Sequence, residues 1–315
     1  MLIQETPAEV GGGVWMLGTT AYPMYLLRGD REGAIIEGGI SALGPLLDRQ
    51  FRGLGVGPTY VRQAVITHAH PDHVMAVPFL RERFPGITVL ASPAAAATLT
   101  KEKAVAFFRK IDAALADALH QSGAIADSPV PPALAENRIA VDRIVREGDV
   151  MAVDGRSWTV LETPGHSDCS ISLHDAGHGV LAVADATGFY VPAAGAWWPM
   201  YFSDYAAYVR SLDRLAALDA EIVCLSHNCA IRGRQEVRAY FAGAIAAVRQ
   251  YHDQIVAAAK AGRPTSEIAA ELAVEAHRRA PVLPVDFFQK NCDLLVKQSL
   301  RHEGLEPAHL SSSRR

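Results

Sequence analysis

Ala64-Val65-Ile66-Thr67-His68-Ala69-His70-Pro71-Asp72-His73 is the stretch on which the reading of this chain turns. Its first four residues form a short apolar run with the β-branched character of a buried strand. Its last six carry three imidazoles and a carboxylate, and a helix is expected to follow over residues 74–84. A strand-to-helix turn aims alternate side chains into one cleft, and α/β sheets place their sites at strand ends. Imidazole and carboxylate suit zinc, iron and manganese. Four such groups within six residues exceed what one tetrahedral ion readily uses, so the spacing suggests two ions. The plain alternative, a polar turn with incidental histidines, would leave buried polar groups without partners, which is costly.

Working outward, strands are expected at residues 14–17 and 24–28, a hairpin turn at 28–33, and a strand at 34–37 ended by Gly38-Gly39. Residues 41–53 read as a helix with Leu43, Leu46 and Leu47 on one face. A strand at 87–91 and helical spacing through 92–121 follow, then a proline-rich loop at 128–132. A second strand set is expected at 138–145, 150–153, 157–162, 169–174 and 180–184. A helix over 203–218 and a strand at 221–225 complete it. From residue 235 the pattern turns helical, over 236–261, 265–279 and 287–302. Strand, helix and strand alternate, which predicts an α/β layered fold. The expected organisation is a catalytic domain over 1–233, a helical C-terminal extension over 234–305 capping the site, and a flexible tail over 306–315.

Three more ligand types stand at ends of apolar strands: His166 in Thr163-Pro164-Gly165-His166-Ser167-Asp168, then Asp185, then His227. The ordered set His-x-His-x-Asp-His, His, Asp, His resembles the metallo-β-lactamase superfamily over roughly residues 14–233. That resemblance implies an αβ/βα sandwich with a dinuclear site between the sheets. It implies that His68, His70 and His166 hold one ion, that Asp72, His73 and His227 hold the other, and that Asp185 bridges them. Two divalent ions are the implied cofactors, zinc first, with iron or manganese also suited. Within the superfamily, Glu37-Gly38-Gly39-Ile40-Ser41, Gly165-His166-Ser167-Asp168, Asp185-Ala186-x-Gly188 and Trp198-Pro-x-x-Phe202-x-Asp204 are similar to the quinolone signal response thioesterases. These act on 2-aminobenzoylacetyl-CoA and carry a helical extension. Ala184 and Ser226 stand where the superfamily often has glycine. Asp rather than Cys at position 185 argues against antibiotic hydrolysis.

The expected chemistry is attack on an acyl carbon by a hydroxide shared between two ions, with the developing oxyanion stabilised electrostatically. A thiolate leaves without much protonation, so a thioester or related aryl ester is the favoured substrate. Asp72 is the expected proton-handling residue. A lactonase, a phosphodiester or phosphocholine-ester hydrolase, and a metal-containing regulatory protein acting through protein contacts are the alternatives. Aromatic side chains are the pocket candidates: Tyr22, Tyr25, Phe189, Tyr190, Trp197, Trp198, Tyr201, Phe202, Phe287 and Phe288. Asp168 is expected to orient a ligand histidine from behind. The remaining seven histidines, His252 and His302 among them, read as bystanders.

The 315 residues include 30 Lys and Arg against 34 Asp and Glu, a formal net charge of −4, and 50% are hydrophobic. Such a balance gives no electrostatic footprint for nucleic acid or an anionic membrane. No apolar run reaches the length of a membrane span, and no signal peptide is evident at the N-terminus. The four cysteines, Cys169, Cys224, Cys229 and Cys292, form no C-x-x-C pair and read as reduced thiols of a cytoplasmic protein. The expected partner is a small acyl substrate, with the helical extension a candidate homodimer surface.

Overall fold

The structure, a computed structural model, describes residues 1–125, 137–279 and 285–305. The loop expected at 128–132 and the tail at 306–315 lie outside the described residues. The chain divides into two compact units. The first holds residues 1–163, 169–184 and 218–238, and the second holds 164–168, 185–217 and 239–315.

Among the described residues, two seven-stranded sheets build the first unit. Its strands in chain order are β1 (Leu2–Ile3), β2 (Ala8–Gly11), β3 (Val14–Gly18), β4 (Pro23–Arg28), β5 (Gly33–Ile36), β6 (Val61–Val65), β7 (Thr88–Ala91), β8 (Arg143–Ile144), β9 (Val150–Val153), β10 (Arg156–Glu162), β11 (Ile171–Asp175) and β12 (Val180–Ala182). The second unit contributes a hairpin of β13 (Phe189–Val191) and β14 (Ala196–Trp198). The chain then returns to the first unit for β15 (Ile222–Cys224) and β16 (Ala230–Arg232). One sheet runs β2-β3-β4-β5-β6-β7-β8, the other β1-β16-β15-β12-β11-β10-β9.

The first sheet is antiparallel from β2 to β5 and parallel from β5 to β8. Parallel neighbours need crossovers, and helices supply them: α1 (Gly44–Gly53) between β5 and β6, α2 (Val77–Arg83) between β6 and β7, then α3 (Pro93–Leu99) and α4 (Glu102–Gln121) before β8. Inward-facing alternate residues of both sheets make one core, with Met16, Tyr25, Leu27, Ile36, Val65, Trp158, Val160, Leu173 and Ile222 all nearly inaccessible. Burying each of the larger side chains contributes about 1.5–3 kcal/mol. A second cluster, including Ile66, Val74, Val77, Val89, Leu99, Val105 and Phe108, joins the helices to the outer side of β6 and β7.

In the second unit lie α5 (Tyr205–Ala216), the greater part of α6 (Arg234–Lys260), α7 (Thr265–Arg279) and α8 (Val285–His302). Asp204 caps α5 by accepting from the Ala207 N–H at 2.6 Å. Helices α7 and α8 pack on one another through apolar residues at helical spacing, Ile268, Leu272 and Ala276 on one and Phe288, Cys292, Leu295 and Val296 on the other.

The α/β fold expected from the alternating pattern is observed. Three details differ. The expected strand over 138–145 shortens to Arg143–Ile144, whose residues are exposed at the sheet edge. The helical stretch over 92–121 breaks at Thr100-Lys101, where Thr100 turns its hydroxyl back to the Ala97 carbonyl. The pairing strands β1, β2, β13, β14 and β16 are two to four residues long, too short for an alternation signal.

Candidate metal centre

Strands β5 and β6 are parallel neighbours, so their C-terminal ends open side by side. The residues just beyond them build the first part of the site. After β6 the chain passes through Ile66 and Thr67 to His68, which is fully buried, then turns through a single 3-10 turn, Pro71–His73. Gly38-Gly39, just beyond β5, brace this turn: the Gly38 N–H donates to the His73 carbonyl at 2.9 Å, and the Met75 and Ala76 N–H groups return to the Gly39 and Gly38 carbonyls at 2.8 Å each. A Cβ on residue 38 would meet the His73 carbonyl oxygen, so the close approach of the two loops requires glycine there.

Within the first unit the structure brings His68, His70, Asp72, His73 and His227 together. His68 Nε2 lies 3.1 Å from His70 Nδ1. Asp72, His73 and His227 each offer a ligand atom, all within 4.8 Å of one another. His227 stands three residues beyond β15, with Nδ1 2.8 Å from the Ala21 carbonyl and Nε2 3.6 Å from Asp72 Oδ2. Within the second unit His166 and Asp185 meet, Nε2 to Oδ2 at 3.3 Å. His166 Nδ1 is 2.9 Å from the Met200 carbonyl. Its loop is held by Gly165, whose φ of +126° and close approach to the Tyr208 backbone leave no room for a side chain. The Gly165 carbonyl accepts from Ser203 N at 3.0 Å and Asp204 N at 3.2 Å.

One pattern recurs. His73, His166 and His227 each turn Nδ1 to an oxygen acceptor, Glu37, the Met200 carbonyl and the Ala21 carbonyl respectively. The proton then sits on Nδ1 and the lone pair on Nε2. That lone pair faces a carboxylate oxygen, Asp72 for His73 at 3.3 Å and Asp185 for His166 at 3.3 Å. Two acceptors facing one another are reconciled by a cation between them. This donor set fits divalent ions, which take neutral imidazole and ionised carboxylate.

Glu37, to which the sequence assigns no role, joins the histidine cluster through its hydrogen bonds. It is 3% exposed, has a φ of +81°, and anchors its own N–H to the Val65 carbonyl at 3.0 Å. Its carboxylate accepts from Thr67 Oγ1 at 2.9 Å and Ser226 Oγ at 3.0 Å, and holds His73 Nδ1 at 2.8 Å. A non-glycine residue in that conformation persists where its surroundings over-determine it. The available signal was an acidic residue between an apolar strand and Gly-Gly. The positions that depart from glycine also become intelligible: Ala184, before Asp185, has a φ of +48°, and Asn228, after His227, has +69°. Ser226 uses the hydroxyl that glycine lacks to reach Glu37.

The expected pocket residues divide. Tyr22 sets its ring edge-on to His227, centroids 5.7 Å apart. Burial, and next the charge of Asp72, push its phenol well above the usual tyrosine range, so it keeps its proton. Tyr25 and Tyr201 are corrected to structural roles. Both are at most 1% exposed, and their hydroxyls bond to the Leu225 carbonyl at 2.6 Å and to Ser299 Oγ at 3.0 Å. In the second unit Phe202 lies against the His166 ring at 5.1 Å and Trp198 at 6.2 Å, and Trp198 meets Phe288 at 5.0 Å. Phe189, Trp197, Trp198 and Phe288 line a small apolar pocket with Tyr251 and Arg279. Phe287 packs edge-on to Phe288, and Tyr190 lies tilted against Trp197, centroids 4.6 Å apart. Asp168 is exposed; the carboxylate found behind a histidine of the cluster is Glu37, behind His73. Cys169 receives the Ala69 N–H on its sulfur at 3.3 Å.

Among the described residues no helix is long and apolar enough to cross a membrane. In sequence the chain is 29% identical over 221 residues to acyl-coenzyme A thioesterase MBLAC2 of Gallus gallus, covering 66% of this chain and 74% of that protein. It is 26% identical over 230 residues to a hydroxyacylglutathione hydrolase of Cereibacter sphaeroides, covering 69% of each. In structure it is similar to a metallo-beta-lactamase family protein from Thermus thermophilus, with a TM-score of 0.64, 23% identity, and coverage of 94% of this chain and 95% of that one. The model of the metallo-beta-lactamase superfamily matches residues 17–227, a span that begins in β3 and ends on His227, and the chain belongs to that superfamily.

Proposed function

We propose that this protein is a metal-dependent thioesterase, with two divalent ions held by His68, His70 and His166 on one side, Asp72, His73 and His227 on the other, and Asp185 shared. Its substrate is an acyl or aryl-acyl group carried on a thiol. The superfamily match and the hydrolase relatives support the reaction type. Coenzyme A and glutathione, named in those relatives, are both thiols, which supports the leaving group.

The observation that carries the acyl reading is Phe202. Its ring joins a ligand histidine to the tryptophan of an apolar pocket, His166 at 5.1 Å and Trp198 at 6.2 Å. The space enclosed there is only about 10 Å³, room for about one water, so an acyl chain would enter as the rings part, leaving water at a favourable gain per unit of apolar area with its carbonyl end toward His166. When bound, the divalent ions would lower the pKa of a coordinated water and polarise the acyl carbonyl.

The protein's own groups do the rest. Glu37, through His73, and the Met200 and Ala21 carbonyls, through His166 and His227, fix which ring nitrogen faces inward. Asp72, with 22% of its side chain exposed, is the more accessible of the two carboxylates, Asp185 having 5%. In this reading Asp72 accepts the proton of the attacking water, a role its greater exposure supports. Tyr22, kept protonated, offers a donor on the His227 side of the site.

A substrate panel tests this reading. Acyl-CoA and aryl thioesters, lactones and phosphodiesters are offered to the wild type and to His70→Ala. Thioesters are expected to be the preferred class, with kcat/KM at least about 10-fold above the others, a difference of roughly 1.4 kcal/mol in barrier, and lost in His70→Ala. A preference for phosphodiesters or lactones would assign the site to another bond class. Metal bound with no activity on any class would favour a regulatory role.

A further inference from the structure

A second group of metal-ligand side chains lies in the second unit, apart from the seven residues above. His252 on α6, His302 at the end of α8, and Glu303 just beyond it each present one ligand atom, all within 4.8 Å of one another. His252 Nε2 is 3.6 Å from Glu303 Oε1, and the rings of His252 and His302 lie 5.5 Å apart. Zinc bonds of about 2.0–2.1 Å at the tetrahedral angle put ligand atoms roughly 3.3 Å apart. The first pair is already near that spacing. The His302 side chain, exposed on the last residue of its helix, is the one that would move.

Two further features point to a ligand at this place. The His252 side chain is only 9% exposed and turns Nε2 to the Glu303 carboxylate, so the ligand atom comes from a nearly buried imidazole. Its ring is also fixed, lying flat on Tyr205 with centroids 3.9 Å apart and planes 11° from parallel, while His302 packs edge-on to the same tyrosine at 4.9 Å. The tyrosine holds the His252 imidazole in place and leaves the exposed His302 to close on the ion. The competing cation is Lys260, whose Nζ is 3.6 Å from Glu303 Oε2; it is 58% exposed and on a flexible stem.

We propose that His252, His302 and Glu303 bind one divalent transition-metal ion of the zinc, nickel or cobalt kind. The fourth position is left to water, and the ion acts as a clasp that fastens the end of α8 to α6. Two histidines and one carboxylate are a sufficient zinc donor set, and an ion bound only in the folded state stabilises it by mass action.

The test is a Zn²⁺ titration against a chromophoric competing chelator. It uses the full chain as wild type, His302→Ala, Glu303→Gln and His70→Ala, with melting temperature and thioester hydrolysis followed in parallel. The wild type is expected to bind one more equivalent than His302→Ala, and Glu303→Gln to bind that equivalent at least about 10-fold more weakly, as loss of a charged ligand implies. Zn²⁺ would raise the melting temperature of His70→Ala by several degrees more than that of the double variant His70→Ala with His302→Ala, although the hydrolytic activity of both is lost. His302→Ala would hydrolyse substrate at the wild-type rate. Equal stoichiometry in the wild type, His302→Ala and Glu303→Gln would overturn the proposal, leaving Glu303 as the partner of Lys260 only. Because the extra equivalent is counted in His70→Ala too, its outcome is independent of whether the hydrolase reading holds.

Discussion

Glu37 Oε2 lies 2.8 Å from His73 Nδ1, and this single pair decides which nitrogen His73 turns toward Asp72. The same carboxylate collects the hydroxyls of Thr67 and Ser226, so one buried anion ties the ends of β5 and β6 to the segment that carries His227. Glu37→Gln keeps the shape and removes the charge. Removing such an outer partner costs about 10–100-fold in metal affinity. That loss is expected in a chelator-competition titration, with the circular dichroism spectrum unchanged. Unaltered affinity would mean that His73 is oriented by something else.

Ala184 carries a φ of +48° immediately before Asp185. An L-residue there costs about 1 kcal/mol, a cost that glycine avoids while losing part of the gain to its freer unfolded chain. Ala184→Gly is expected to be at least as stable as the wild type in chemical denaturation, and Ala184→Val to be less stable by about 2 kcal/mol or more. The reverse order would show that this turn is set by packing and not by backbone conformation.

Trp197 and Phe202 take different positions around the proposed acyl pocket. Trp197 lines it, with its ring filling the space over Gly243, and Phe202 stands between Trp198 and His166. Removing either ring takes away apolar contact worth about 1.5–3 kcal/mol when fully used. Each alanine variant is expected to raise the KM for aryl thioesters by roughly 10-fold, with metal content unchanged. If the double variant leaves KM unchanged for every active aryl ester, the pocket is elsewhere.

Asp175, the last residue of β11, gives a pH dependence unconnected with the proposed metals. Burial works against its charge, but hydrogen bonds from Arg156 at 2.6 and 2.8 Å and from His178 prevail, and its pKa is held below the usual 3.8. A carboxylate with a depressed folded-state pKa supplies stability that is present above the unfolded value and lost as pH falls through the folded one. Asp175→Asn is therefore expected to cost on the order of 2 kcal/mol at neutral pH. The gap to the wild type would close as pH drops below 3.8, read from urea midpoints across the acid range. A gap that stays constant with pH would remove the charge from the explanation.

The candidate ligand set could be proposed from sequence because its members declare themselves locally. His68, His70, Asp72 and His73 stand within six residues, and His166, Asp185 and His227 each follow an apolar run. The strands that were missed are short; they lie at or next to a sheet edge, or in the Phe189–Val191 hairpin, where Gly188, Pro192 and Gly195 interrupt any alternation. The role of Glu37 could not be read from its neighbours in sequence, since Thr67, His73 and Ser226 reach it only through the fold. For the same reason His252 and His302, far apart in the chain, read as bystanders although they share one tyrosine as a shelf. Tyr25 looked like a pocket residue because it sits on the first hairpin. Its complete burial follows from strand parity, which places it on the core face with Leu27.

The central claim is that metal held by the histidine and aspartate set hydrolyses a thioester. It is tested most directly by following release of the free thiol from an aryl-acyl thioester with chelator-stripped protein, before and after the divalent metal is restored, for the wild type and His70→Ala side by side. The account predicts that stripping lowers kcat/KM by about 10³-fold or more, equivalent to roughly 4 kcal/mol of transition-state stabilisation. Restoring metal would recover the wild type, while His70→Ala stays at the stripped level under the same conditions. Thiol release that persists in the stripped wild type at its original rate, or that His70→Ala supports equally well, would contradict it.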